Sequence, residues 1–188
     1  MCLIDADNLD YEVKSKAGTN WYALHTRNKS EKIAKQYFEE NSEIITYVPT
    51  IRRTKKYSRK IKHYDIPLIR CYVFVKINLK QRVEVFKNPY VIQFLTIGNE
   101  IYPIPENEID TLKKVTGHFP DVELTKEERN QIGDEVEVIG GYLTGLKGYI
   151  IRGAKNQKNV VIELKHIGFQ LRLQIDPAYL RRVNKLVA

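Results

Sequence analysis

The chain has 188 residues, 43% of them hydrophobic and 29% charged, with a formal net charge of +8 at pH 7. That apolar content offsets chain entropy, which excludes a disordered polycation and leaves a folded basic protein of one large or two small domains. No run approaches the roughly 18 apolar residues of a membrane span, "MCLIDADNLDYEVK" has acids where a signal peptide has bases, so no secretory leader is expected, and Cys2 and Cys71 suggest no disulfide framework. The expectation is a soluble cytoplasmic protein with reduced thiols, no membrane contact and polyanions as natural partners.

Residues 1–19 mix acids, Gly and Ser without a period and read as a loose extension. "NWYALHT" from Asn20 is strand-like. "RNKSEKIAKQYFEEN" carries Ile33, Ala34, Tyr37 and Phe38 as one helical stripe, and Asn28 with Glu31 resembles a capping box. "EIITYVP" predicts a second strand ended by Pro49, and the charged run 50–66, broken by "YSR", a protruding hairpin. "IRCYVFVKI" predicts a central strand. Asn78 then caps a short helix bearing Leu79, Val83 and Phe86, stopped by Pro89, before a strand at "YVIQFLTI". Pro105 opens a helix carrying Ile109, Leu112 and Val115, closed by Gly117. This order predicts an α+β domain over residues 20–116, a mixed or antiparallel sheet with helices packed on it.

Residues 117–131 lose the period and gain acids, which predicts a flexible linker spanning roughly 20 Å. From 132 to 188 the texture becomes alternation: "DEVEVI", "KGYIIR", "NVVIEL" and "FQLRLQI" are short β-runs separated by turn signals, followed by a turn at "DPAYL" and a strand at "RRV". A small barrel is expected. Residues 20–116 hold 18 Lys and Arg against 10 Asp and Glu, so the first domain carries most of the positive field.

Enzyme chemistry finds no support. His25, His63, His118 and His166 fall on separate elements, and no zinc spacing, Walker loop or dinucleotide fingerprint occurs. Asp5 with Asp7, and Glu106 with Glu108, suit a tail and a helix N-terminus. A non-enzymatic protein without cofactor or metal is expected.

Within "IGDEVEVIGGYLTGLKGYIIR", residues 132–152, Gly133 starts the first strand, Gly141 permits a positive φ, and Gly145 and Gly148 bend the chain into the next strand. This segment resembles the KOW motif of SH3-like barrels in ribosomal and transcription proteins. Upstream, "WYALHTR", a capped helix, "YVP", a basic run, "PL" and "YVFV" resemble the N-terminal domain of NusG-like transcription elongation factors, so the resemblance spans residues 20–183. It implies binding to RNA polymerase through the first domain, contact with the exposed non-template DNA strand of the transcription bubble, and a KOW barrel that recruits a second partner, a small-subunit ribosomal protein or Rho. A monomer is implied.

Many members have Phe-Pro-Gly-Tyr-Val where this chain has Ile69, Arg70, Cys71, Tyr72 and Val73. The loss of Pro-Gly predicts an altered bend, because Cys reaches positive φ less easily than Gly. It implies a specialised paralogue of the RfaH or UpxY antiterminator kind.

Ile69, Tyr72 and Phe74 are the implied polymerase contacts. The implied nucleic-acid contacts are Arg27, Lys29 and Lys32 at the first helix, and Arg52, Arg53, Lys55, Lys56, Arg59, Lys60 and Lys62 in the hairpin, with Tyr57 or Tyr64 available for base stacking. Leu146 and Ile167 match partner-binding loop positions, with barrel core as the equal alternative. A solvated face is the alternative for the hairpin, and Trp21 and Tyr22 suit core better than contact. The alternative function is a KOW-containing RNA-binding structural protein of the ribosome.

Overall fold

The computed structural model describes residues 18–58, 60–97, 99–118, 122–126, 134–152 and 158–183. Of the expected N-terminal extension only Gly18 and Thr19 fall among them, and Arg59 and Gly133 lie outside. The chain forms two compact units, one of the described residues up to Val48 with Cys71–Ile104, the other of Pro49–Arg70 with the described residues from Pro105 onward.

The first unit is built on an antiparallel sheet in which β1 (Asn20–Thr26) lies between β5 (Tyr72–Ile77) and β6 (Val91–Phe94), with β2 (Ile45–Tyr47) on the outer edge of β5. Opposed residues run from Asn20 with Ile77 to His25 with Tyr72. Period-two alternation therefore sends Tyr22, Leu24, Val73, Val75 and Ile77 to one face, where Ala34 and Phe38 of α1 (Glu31–Asn41) join their core. Ile33 is excluded from that core and exposed; Glu31, Ala34 and Phe38, at i, i+3 and i+7, are the buried positions instead. Trp21, Ala23 and Phe74, on the other face, are also buried.

After β5, Asn78 caps a 3₁₀ turn over Leu79–Gln81, its side chain accepting from the Lys80 N–H at 3.0 Å while Gln81 accepts from the Asn78 N–H at 2.9 Å. The tighter winding of that turn changes the phase entering α2 (Arg82–Phe86). Leu79 and Val85 are buried, whereas Val83 and Phe86, expected on the apolar stripe, are exposed. The strand expected at "YVIQFLTI" breaks at Leu95. Its first part is β6; its second, β7 (Thr96–Ile97), turns back to pair with β8 (Glu100–Ile101).

In the second unit, β3 (Thr50–Tyr57) and β4 (Lys60–Pro67) form a two-stranded ribbon in continuous register. The helix α3 (Glu106–His118) buries Ile109, Leu112 and Val115 and runs through Gly117 rather than stopping there. Beyond it, β9 (Glu123–Lys126) pairs antiparallel with β13 (Phe169–Gln174), Leu124 facing Leu171, so these residues are strand and not the flexible coil expected over 117–131. Val122 and Leu124 supply a short alternation among the acids, and Val122 is buried. With β10 (Glu135–Val138), β11 (Lys147–Arg152), β12 (Lys158–Leu164) and β14 (Leu180–Arg182), they make a six-stranded antiparallel sheet in the order β14-β10-β11-β12-β13-β9.

Gly141 (φ 74) and Gly145 (φ 86) take left-handed turn conformations, but Gly148 does not, so it is no bend. A Cβ at Gly148 would lie 2.5 Å from the Val161 carbonyl oxygen and 2.9 Å from Val160 Cγ1, so glycine is there to let β11 and β12 approach. Gly148→Ala is expected to lower stability by about 1–3 kcal/mol through overpacking, measured as a fall in urea midpoint.

All four histidines have structural contacts. His25 meets Tyr72 edge-on at 5.4 Å, His63 Nδ1 lies 3.0 Å from Thr54 Oγ1, and His118 stacks on Tyr142 at 3.8 Å. His166 Nδ1 lies 2.6 Å from Oε1 of the buried Glu108, which also accepts the His166 backbone N–H at 3.3 Å.

Candidate functional site

In the first unit, the end of β1 and the start of α1 are fastened to the turn before β5. Thr26 N–H donates to the Cys71 carbonyl at 2.8 Å, and Arg27 N–H to the Tyr90 carbonyl at 2.9 Å. Cys71 holds φ at 62°, so the bend that glycine would supply is present without it. Its N–H donates at 2.6 Å to Oε1 of Glu31, a carboxylate only 4% exposed. No capping box forms with Asn28; Ser30 is the N-cap and makes no side-chain cap hydrogen bond. The first acid of the helix is spent on a tertiary contact.

This arrangement brings Arg27, Lys29 and Lys32, all exposed, onto the same tied segment as Tyr72. Lys29 also has positive φ, at 59°. Tyr72 is half-buried, and burial, with a smaller contribution from Cys71, holds its phenol above the usual range. Ile69 and Phe74 do not form an exposed patch with it: both are fully buried, and they fall in different units. Phe74 is a central-strand residue whose ring lies 6.3 Å from that of Tyr47. Of the expected hydrophobic contacts, Tyr72 alone keeps accessible surface.

The ribbon of the second unit carries the hairpin cations, and from Arg52 to Ile66 every described side chain is exposed. Register divides them. On one face Ile51, Arg53, Lys55 and Tyr57 oppose Ile66, Tyr64, Lys62 and Lys60; on the other Thr50, Arg52, Thr54 and Lys56 oppose Pro67, Asp65, His63 and Ile61. Arg52 Nε donates to Asp65 Oδ1 at 3.3 Å. On the first face the Tyr57 and Tyr64 hydroxyls meet at 3.1 Å, and Lys55 Nζ lies 5.3 Å from the Tyr57 ring centre.

The Tyr64 phenol is raised above its ordinary value chiefly by the hydrogen bond to Tyr57. A raised value means that the contact is intact below about pH 10 and is lost as pH climbs through the elevated titration. Tyr57→Phe is expected to return Tyr64 toward ordinary titration, followed by phenolate absorbance in alkaline solution.

In the loops that join the strands of the C-terminal sheet, Ile167 is 4% exposed and belongs to the interior, against its reading as a partner contact, while Leu146 is half-buried. No group of His, Cys, Asp or Glu that could hold a metal ion occurs among the described residues, and no described helix is long and apolar enough to cross a membrane. Glu31 is the positioning residue that the sequence did not reveal. Its partner is 40 positions downstream, beyond the reach of any local motif.

The segment 19–113 matches the family described as "Transcription termination factor nusG". The chain belongs to the NusG family. Among solved structures it is similar to the one titled "Domain interaction in Thermotoga maritima NusG", with a TM-score of 0.51 and 19% identity over 88% of this chain and 98% of that one. Chains of the MjSpt4:Spt5 complex, conformations A and B, align at TM-scores of 0.29 and 0.30 with 20% and 21% identity, covering 88% of this chain and 99% and 97% of theirs. No curated protein matches the sequence significantly. The NusG match ends within α3, and the surfaces around Tyr72 and on the ribbon both fall inside it.

Proposed function

We propose that the protein is a transcription elongation and antitermination factor, a specialised NusG paralogue of the RfaH or UpxY kind, acting as a cytoplasmic monomer. Membership of residues 19–113 in the NusG family carries this reading. The N-terminal domain binds RNA polymerase, with Tyr72 as the hydrophobic contact. Arg27, Lys29 and Lys32 and the basic ribbon meet DNA of the transcription bubble. The protein lowers no covalent barrier; it suppresses pausing or termination by binding the processive state of polymerase more tightly than the paused one. The C-terminal sheet serves as a KOW barrel that recruits a ribosomal protein or Rho.

Retention of the full chain on immobilised core polymerase tests the proposal. Retention is expected for the native chain and is expected to fall for Tyr72→Asp, with circular dichroism checking that the variant remains folded. Undiminished capture of that variant removes Tyr72 from the interface. Absence of native binding, with binding instead to structured ribosomal RNA, favours a structural protein of the ribosome.

A further inference from the structure

We propose that the exposed side of the 3₁₀ turn and α2, the surface bearing Lys80, Val83, Phe86 and Lys87, is a docking site for the chain's own acidic N-terminal segment, residues 3–13. The occupant is assigned from its sequence and from the place where the chain joins the first unit. It stands apart from polymerase binding.

The apolar part of the surface is held outward by anchors on its inner side. Leu79 and Val85 lie in the core of the first unit, and the buried Asn88 donates from Nδ2 to the Ala34 carbonyl of α1 at 2.9 Å. These contacts fix the rotation of α2 and leave Val83 69% and Phe86 40% exposed, three positions apart on one side of the helix. Phe86 meets Phe94 edge-on at 5.7 Å and keeps the remainder of its surface open.

Cations surround that pair. Lys80 stands three positions before Val83 and Lys87 four after it, on the same side, and Arg82 flanks them; all three are exposed. Among the described residues none of the three has a carboxylate partner, and the one acid between Leu79 and Asn88, Glu84, is half-buried. An apolar patch rimmed by unpaired positive charge suits an acidic segment with apolar side chains of its own.

The chain carries such a segment next to the surface. Residues 3–13, "LIDADNLDYEV", hold Asp5, Asp7, Asp10 and Glu12 and no Lys or Arg, with Leu9, Tyr11 and Val13 interleaved. In the antiparallel pair of β1 and β5, Asn20 opposes Ile77, and the turn begins one residue later at Asn78. From Leu79 to Phe86 the surface runs about 12 Å at the rise of a 3₁₀ turn followed by α-helix, whereas the six residues 14–19 span up to about 20 Å. So short a tether sets an effective concentration of about millimolar, which suffices for a contact too weak to form between separate molecules. The other acid-rich stretch, 117–131, contributes β9 to the C-terminal sheet. Docked, residues 3–13 cover Val83 and Phe86 and offset the cations around them, so any other partner of this surface must displace them.

The test irradiates the full chain carrying Tyr11→p-benzoylphenylalanine at physiological salt and maps the cross-linked positions by peptide mass spectrometry. Cross-links are expected within single chains, to residues 80–87, at a rate independent of protein concentration. Lys80→Glu with Lys87→Glu is expected to lower the initial rate roughly 2- to 25-fold, as for the loss of two exposed ion pairs. Adding Asp7→Lys with Asp10→Lys restores the match of charge and is expected to recover most of that loss. Lys55→Glu with Lys62→Glu makes the same change of charge on the ribbon and is expected to leave the rate unaltered.

No intramolecular cross-link, cross-links to another surface, or equal losses from the two pairs of glutamate substitutions would overturn the docking site. Cross-links that join isotopically heavy to light chains and rise with concentration give the surface to a second copy and overturn the intramolecular occupant. Failure of the aspartate-to-lysine pair to recover the rate overturns the pairing of charge. Amide resonances of Val83 and Phe86, compared between the native chain and Asp7→Lys with Asp10→Lys alone, give a second reading without altering α2. They are expected to shift, and coincident spectra would equally overturn the proposal.

Discussion

Phe74→Ala is expected to lower the unfolding free energy by about 3–5 kcal/mol, the range for deleting a buried aromatic ring. Phe74 sits in β5 opposite Ala23 on one side and Tyr47 on the other and exposes no surface, so the truncated side chain leaves a cavity that two flanking strands cannot close without breaking register. Against a typical total of about 5–15 kcal/mol, the variant becomes marginal near body temperature. Its loss of polymerase binding should track the fraction unfolded. Tyr72→Ala, at a half-buried site, should cost less stability and lose binding while still folded. Urea denaturation of both variants beside retention on polymerase separates the two roles. A Phe74→Ala protein with native stability and no retention would return Phe74 to the interface.

Local chemistry determined what was legible in the sequence. The Asn78 cap, the i, i+3, i+6 spacing of Ile109, Leu112 and Val115, and the β-runs after residue 134 are signals complete within a few residues, and the structure forms each of them. Errors arose where a distant partner or a change of period intervened. A period of 3.6 residues per turn puts Val83 and Phe86 on a buried stripe with Leu79, but the segment begins as a 3₁₀ turn at three residues per turn. The acids of 117–131 concealed the strand whose partner, β13, lies more than 40 residues further on.

The site was legible in part for the same reason. Alternation in "IRCYVFVKI" assigns Tyr72 and Phe74 to one face but says nothing of how far along the strand that face is covered, and the cover ends between them. The two faces of the ribbon could have been found by pairing the runs on either side of "YSR". The run 50–66 contains one acid, Asp65, and only the pairing of the two strands sets it opposite Arg52 and apart from the other cations.

Glu31→Ala is expected to destabilise the first unit by about 1.5–3 kcal/mol, the worth of a hydrogen bond to a charged group, and to loosen the turn that presents Tyr72. The Cys71 N–H would lose its 2.6 Å acceptor, and the left-handed backbone at Cys71, disfavoured by roughly 1–2 kcal/mol for a residue with a Cβ, would lose a restraint that holds it. Glu31→Gln keeps an acceptor oxygen and should recover much of the loss. Cys71→Gly provides the internal test. In the native background it relieves the strain, against about 0.5–1 kcal/mol of extra unfolded-chain entropy, and is expected to be neutral to slightly stabilising. In the Glu31→Ala background the turn has relaxed, less strain is left to relieve, and the same substitution should gain less. The double-mutant cycle therefore closes with a coupling energy of at least about 0.5 kcal/mol, as for groups in direct contact. Additive effects, with Tyr72-dependent retention on polymerase unchanged, would show that Glu31 serves only the start of its own helix and that the turn keeps its shape by other means.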